Sequence, residues 1–69
     1  MSALQWRTAI DLCLIAEMIP APDDPARLLS RLTGVRVAVH GSVLYVDTAQ
    51  GIFAIPVASV LFVAYQRGS

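Results

Sequence analysis

The sequence predicts an α+β fold, with two N-terminal helices packed on a small antiparallel β-meander of three to four strands, all in one small domain spanning residues 1–69. Three observations lead to that expectation. Helix start and stop signals occupy the first half of the chain. The apolar period drops to two after Gly34. Glycine-containing turns then separate short runs rich in β-branched and aromatic residues.

Each element has its own reason. Ser2 followed three residues later by Gln5 fits a capping box, so the first helix is expected to start there and to run to about Met18. Pro20 and Pro22 stop it, because proline lacks an amide hydrogen and disfavours helix in the residue before it. Arg7, Thr8 and Asp11 form its polar side, with Arg7 and Asp11 one turn apart. From Leu12 to Ile19 that helix is apolar almost all round, which implies cover on more than one side. Asp24 then offers an N-cap and Pro25 a first helical position. The short second helix that follows carries Arg27 and Arg31 outward, turns Leu28, Leu29 and Leu32 inward, and ends at Gly34.

Beyond Gly34, Val35, Val37 and Val39 alternate with Arg36, Ala38 and His40 as in a half-buried strand. Gly41 and Ser42 suit a two-residue type II′ turn, and Val43 to Asp47 returns as the second strand. Residues 48–51 reverse the chain into Ile52 to Ile55, Pro56 breaks that strand, and a last strand runs from about Ser59 to Gln66. Both alternating sets of this last strand are apolar, so it is expected to be covered on both faces.

Composition bounds the function. The chain is 57% hydrophobic and 14% charged, against roughly 45–50% and about 25% in ordinary soluble domains. That balance excludes a disordered segment. Net charge is zero and every basic residue is arginine, so the positive excess that drives phosphate-backbone binding is missing. The single cysteine forms no internal bridge, no Cys/His cluster suggests a metal, and no motif suggests a cofactor. A domain of this size buries only about 60% of the surface its unfolded chain exposes. The apolar excess therefore needs cover from outside the chain.

Self-association, as a homodimer or small ring, is the favoured source of that cover, with Trp6, Leu14, Ile15, Met18, Leu61, Phe62, Val63 and Tyr65 as the expected interface residues. Other readings are a heteromeric inhibitor or adaptor seated on a larger protein, and a small regulatory or nucleic-acid-binding protein that uses Arg27 and Arg31 as an anion-binding face. A membrane-associated protein is the least favoured. Residues 48–66 are uncharged, but the predominantly apolar part, Gly51 to Tyr65, is shorter than a spanning helix needs and contains Pro56. Asp11 and Glu17 interrupt any secretory signal, which makes the cytoplasm the default location.

Catalysis finds little support. His40 lacks an orienting partner in the local sequence, Cys13 sits in the most apolar run, and Asp23 with Asp24 are explained by helix capping. The chain is therefore read as a non-enzymatic interaction module. One local resemblance agrees with this. Val43-Leu-Tyr-Val-Asp, followed by Gly51-Ile-Phe-Ala-Ile-Pro-Val-Ala-Ser-Val, resembles the strand, turn and strand opening of CheW-like chemotaxis adaptors, which are non-catalytic scaffolds. Similar endings occur in LytTR-type DNA-binding domains, bacterial PH-like domains and small Sm-like barrels. The resemblance covers only Val43 to Val60, and no functional residue is carried over from it.

On this reading, a charged residue at Leu14 or Leu61 yields a monomer or an insoluble protein. Light scattering of the purified variants distinguishes these results from an unchanged, folded assembly, which would refute the assignment.

Overall fold

In the computed structural model, which describes residues 4–68, the chain is almost entirely β. Its strands are β1 (Arg7–Leu14), β2 (Ile19–Ala21), β3 (Asp24–Leu29), β4 (Arg31–Leu32), β5 (Val35–His40), β6 (Val43–Thr48), β7 (Gly51–Pro56) and β8 (Val60–Tyr65). A 3-10 turn, Val57–Ser59, precedes β8, and no α-helix occurs among the described residues. All pairings are antiparallel. The main sheet has the order β4-β1-β5-β6-β7, β8 pairs with β1, and β2 with β3 form a separate two-stranded ribbon.

The two expected helices are thus overturned, for identifiable reasons. In β1 the buried residues are Ala9, Leu12 and Leu14. Their spacing of three and then two residues arises because Ile10 is an extra residue in the ladder with β8. A β-bulge inserts one residue and breaks the period of two. The resulting i, i+3 spacing imitates a helical face. Pairing on both edges then outweighs the weak strand preference of Arg7, Ala9 and Asp11. Of the expected capping box, Gln5 lies outside regular structure and Ser2 lies outside the described residues.

The second expected helix is half of a long hairpin. Leu12 faces Leu32 and Cys13 faces Arg31 in one segment, and Ile19 faces Leu29 and Pro20 faces Leu28 in the next. Between them, the Leu14 amide donates to the Ser30 carbonyl (2.7 Å) and the Met18 amide to the Leu29 carbonyl (3.0 Å). Asp24 does accept a backbone hydrogen bond, from the Ala26 amide (3.0 Å), as an N-cap would. Here that bond steadies the start of β3, since aspartate makes the same local contact in turns as in caps. Pro25 is tolerated because a two-stranded ribbon leaves each strand an unpaired edge.

β4 and β5 lie along the same edge of β1 in one register, with Leu12 opposite Leu32 and Ala9 opposite Val35. Thr33 and Gly34 separate them, and Gly34 adopts φ +65°. Gly34 thus supplies the left-handed residue expected of it, inside a strand pair and not at a helix end. Gly41 (φ +61°) makes the tight β5–β6 turn. β5, β6 and β7 form the expected meander, but the last strand does not continue it. Pro56 ends β7, the Val57 amide donates to the Ser42 carbonyl (2.8 Å), and the 3-10 turn redirects the chain to the far edge of β1.

The concave side holds the core: Ala9, Leu12, Leu14, Ile19, Leu32, Val37, Leu44, Val46 and Ile55. Met18, Val35, Phe53, Val60, Val63 and Tyr65 pack against it. Gln50, in the β6–β7 turn, ties the hairpin arm to the main sheet by donating from Nε2 to the Ala21 carbonyl.

Leu12 is fully buried, so Leu12→Ala is expected to cost about 2–5 kcal/mol, a large share of a small domain's stability. No atom lies within 4 Å of a Cβ at Gly34. Gly34→Ala therefore costs only the left-handed strain, about 1–2 kcal/mol. Urea unfolding measures both, and a loss below about 1 kcal/mol at Leu12 would contradict its place in the core.

Candidate interaction surface

The sheet partners of β1 and β8 define an outward face. Along β1, Ala9 faces Tyr65, Asp11 faces Ala64, Leu12 faces Val63, Cys13 faces Phe62 and Leu14 faces Val60. Two residues are extra in this ladder, Ile10 on β1 and Leu61 on β8. Ile10 and Asp11 therefore oppose one residue, as do Leu61 and Phe62. Each bulge puts two consecutive side chains on the outer face between buried or core-packed neighbours. Burial agrees: Ala9 and Leu12 are buried around Ile10, and Val60 and Val63 pack on the core around Leu61 and Phe62.

The outcome is an apolar stripe. Ile10 is 52% exposed, Ile15 60%, Leu61 63% and Phe62 48%. The backbone holds Ile15 in line with the ribbon, since its amide donates to the Ser59 carbonyl (2.9 Å). The half-buried thiol of Cys13 lies at mid-stripe, with Phe62 opposite it on one side and Arg31 on the other.

A polar pair interrupts the β1 row of the stripe, where Asp11 lies between Ile10 and Cys13. Arg31 binds Asp11 in bidentate fashion, Nε to Oδ1 at 3.0 Å and Nη2 to Oδ2 at 2.6 Å. The Asp11 side chain is 20% exposed and that of Arg31 64%. The hydrogen bonds from Arg31, reinforced by its charge, hold the Asp11 carboxyl below the usual carboxylate range, and the same bonds raise the Arg31 guanidinium.

The residues expected at an interface are dispersed. Ile15, Leu61 and Phe62 meet on the stripe. Leu14 is 3% exposed and belongs to the core, so a charge there attacks folding itself. Met18, Val63 and Tyr65 pack against the core. Trp6 is half-buried, with Arg36 5.8 Å above its ring, and Arg7 stands 3.7 Å over the Tyr65 ring. Ile10 was not singled out in the sequence, because only the bulge turns it outward. The last strand, expected to be covered on both faces, is open on its outer side at Leu61 and Phe62.

Arg27 and Arg31 do not share a helical face. Arg27 bonds Asp23 at 3.0 Å and Arg31 bonds Asp11, so an aspartate already engages each guanidinium. The chain matches no protein-family model, no curated protein and no solved structure. The likeness of Val43 to Val60 to CheW-like adaptors thus remains a local one, spanning β6, β7, the 3-10 turn and the first residue of β8.

Among the described residues, no three His, Cys, Asp or Glu side chains gather in a way able to hold a metal ion. Among the same residues no helix is long and apolar enough to cross a membrane. A shallow depression of about 180 Å³, lined by Pro22, Leu29, Arg31, Leu32, Thr33 and Val35, is smaller than the roughly 300–1,000 Å³ of ordinary ligand pockets.

Because the Asp11 pKa is lowered by folding, its contribution to stability is present above the unfolded-state value of about 3.9 and is lost as pH falls through the folded value. Wild type should therefore exceed Asp11→Asn in urea midpoint at pH 7, with the gap closing in strong acid. A gap that widened on acidification would show the sign to be wrong.

Proposed function

We propose that this protein is a non-enzymatic interaction module that assembles with itself through the outer face of the β1–β8 ribbon. The observation carrying this reading is the stripe. Of the large exposed apolar side chains, Ile10, Leu61 and Phe62 lie on one two-stranded ribbon and Ile15 directly follows β1, while Leu28, Val39, Ile52 and Val57 lie elsewhere. Singly exposed apolar residues are ordinary on any protein surface, whereas clustering on one element marks a contact surface.

A second copy suits the face on grounds of charge. The chain has zero net charge, so copies do not repel one another as strongly charged molecules would. β8 itself carries no charged residue, and the Asp11–Arg31 pair on the neighbouring β1 and β4 is internally neutralised. The paired state of Arg27 and Arg31 gives no support to an anion-binding role for that pair.

Light scattering coupled to size exclusion tests the reading. Wild type is expected to run as a dimer or small ring, and Leu61→Glu as a folded monomer. Ile52→Glu is the control, since Ile52 is 59% exposed but lies on β7, and it should leave the mass unchanged. A folded wild-type monomer at high concentration would overturn self-association.

A further inference from the structure

We infer that the free edge of β7 docks an extended, uncharged segment of another protein, which adds to the sheet as an antiparallel strand hydrogen-bonded to the backbones of Ile52 and Ala54. This goes beyond the self-association proposed above and uses a different part of the sheet. Among the described residues β7 pairs only with β6, so its other edge is open.

Proline fixes which backbone groups that edge presents. Facing residues in an antiparallel ladder alternate between pairs that exchange both backbone bonds and pairs that exchange none. Pro56 lies opposite Val43 and lacks an N–H, so this pair exchanges none, in keeping with the bond from the Val57 amide to the Ser42 carbonyl (2.8 Å). Counting back along an unbroken register, Ile55, Phe53 and Gly51 bond to β6, whereas Ala54 and Ile52 turn their N–H and C=O groups away from it. Both residues are exposed, Ile52 to 59%. Among the described residues, no backbone bond outside the ladders reaches either of them.

The other open edges are blunted. β2 and β3 each contain a proline, and β3 adds Asp24 and Arg27. β4 is two residues long, and β8 carries the Leu61 bulge. Prolines, charges, bulges and short length are the devices by which sheets refuse an added strand. β7, Gly-Ile-Phe-Ala-Ile-Pro, has no charge and no bulge, and its proline stands at the last position.

The dimensions favour a flexible segment over a second copy. Six residues span about 20 Å, and one strand occupies about 5 Å of sheet width. Two folded copies meeting along so narrow a strip fall well short of the roughly 800 Å² per partner of a standard interface. An extended segment instead follows the edge and lays side chains over both faces of β7. The residue opposite Phe53 covers that half-buried ring on the core side, and its two neighbours stand beside Ile52 and Ala54 on the outer face. The pattern that fits is therefore apolar at the centre and β-branched on either side.

The probe is the pentapeptide VTVTV, acetylated and amidated, titrated into the full isotope-labelled chain. The expected result is chemical-shift change centred on Ile52, Phe53 and Ala54, with at least tenfold slower exchange of the Ile52 and Ala54 amides at saturation. N-methylation of both threonines, whose N–H groups face β7, should abolish binding, whereas N-methylation of the central valine, whose N–H faces away, should leave it intact. Ala54→Pro removes a donor that β6 does not use, and should weaken binding at least tenfold while retaining the wild-type circular dichroism. Equal binding by the two methylated peptides, shift changes confined to β8 or the hairpin arm, or no change at millimolar peptide would overturn the inference. Protection of the Ile52 and Ala54 amides on raising the concentration of the protein alone would assign the edge to a second copy and overturn it as well.

Discussion

Everything in this fold is hung on β1. It is flanked along one edge by β4 and β5 and along the other by β8, and it supplies Ala9, Leu12 and Leu14 to the core. A strand paired on both edges has its backbone hydrogen-bonding groups largely satisfied, whereas an eight-residue helix leaves its first four N–H and last four C=O groups without intrahelical partners. The hairpin arm is its extension, and the last strand finds its place only because β1 leaves an edge open. The meander of β5 to β7 forms locally across short turns, but the closure from β8 to β1 joins the two ends of the chain.

That closure is also where the ladder is irregular. In a regular antiparallel ribbon, strict alternation would send every second residue inward. Two bulges interrupt it, at Ile10 and Leu61, and each shifts a side chain outward. The inward residues still reach the core, so Leu12 and Val63 remain paired partners under the sheet. The irregularity explains how so apolar a chain fills a small core and still places large aliphatic side chains in solvent. It also accounts for Ile10 and Leu61 facing outward on the β1–β8 ribbon, while Leu28, Val39, Ile52 and Val57 are exposed elsewhere.

The legible parts of the sequence were those governed by short-range rules. The β5–β6 hairpin followed from Gly41 and the alternation around it, the end of β7 from Pro56, and a left-handed residue from Gly34. The apolar excess of the last strand, and Ile15, Leu61 and Phe62 as surface candidates, were also visible. What misled was the first half. Ser2 and Gln5, Asp24 and Pro25 are genuine helix-start patterns, but an aspartate capping contact serves a turn equally well, as Asp24 with Ala26 shows. The i, i+3 spacing of Ala9 and Leu12 is produced equally by a helical turn or a bulged strand, and only the pairing partner, more than 50 residues away, distinguishes them. Leu14 was misplaced for the same reason. On a helix apolar all round it stood for surplus surface, and on a strand it is simply the inward residue.

The central claim is that the bulged β1–β8 ribbon presents its outer face to another copy of the chain. Intermolecular nuclear Overhauser effects in a mixture of isotope-labelled and unlabelled protein test it most directly. The account predicts contacts between copies from Ile10, Ile15 and Leu61 methyl groups and the Phe62 ring. Contacts between copies confined to Ile52, Val39 or the hairpin arm would contradict it.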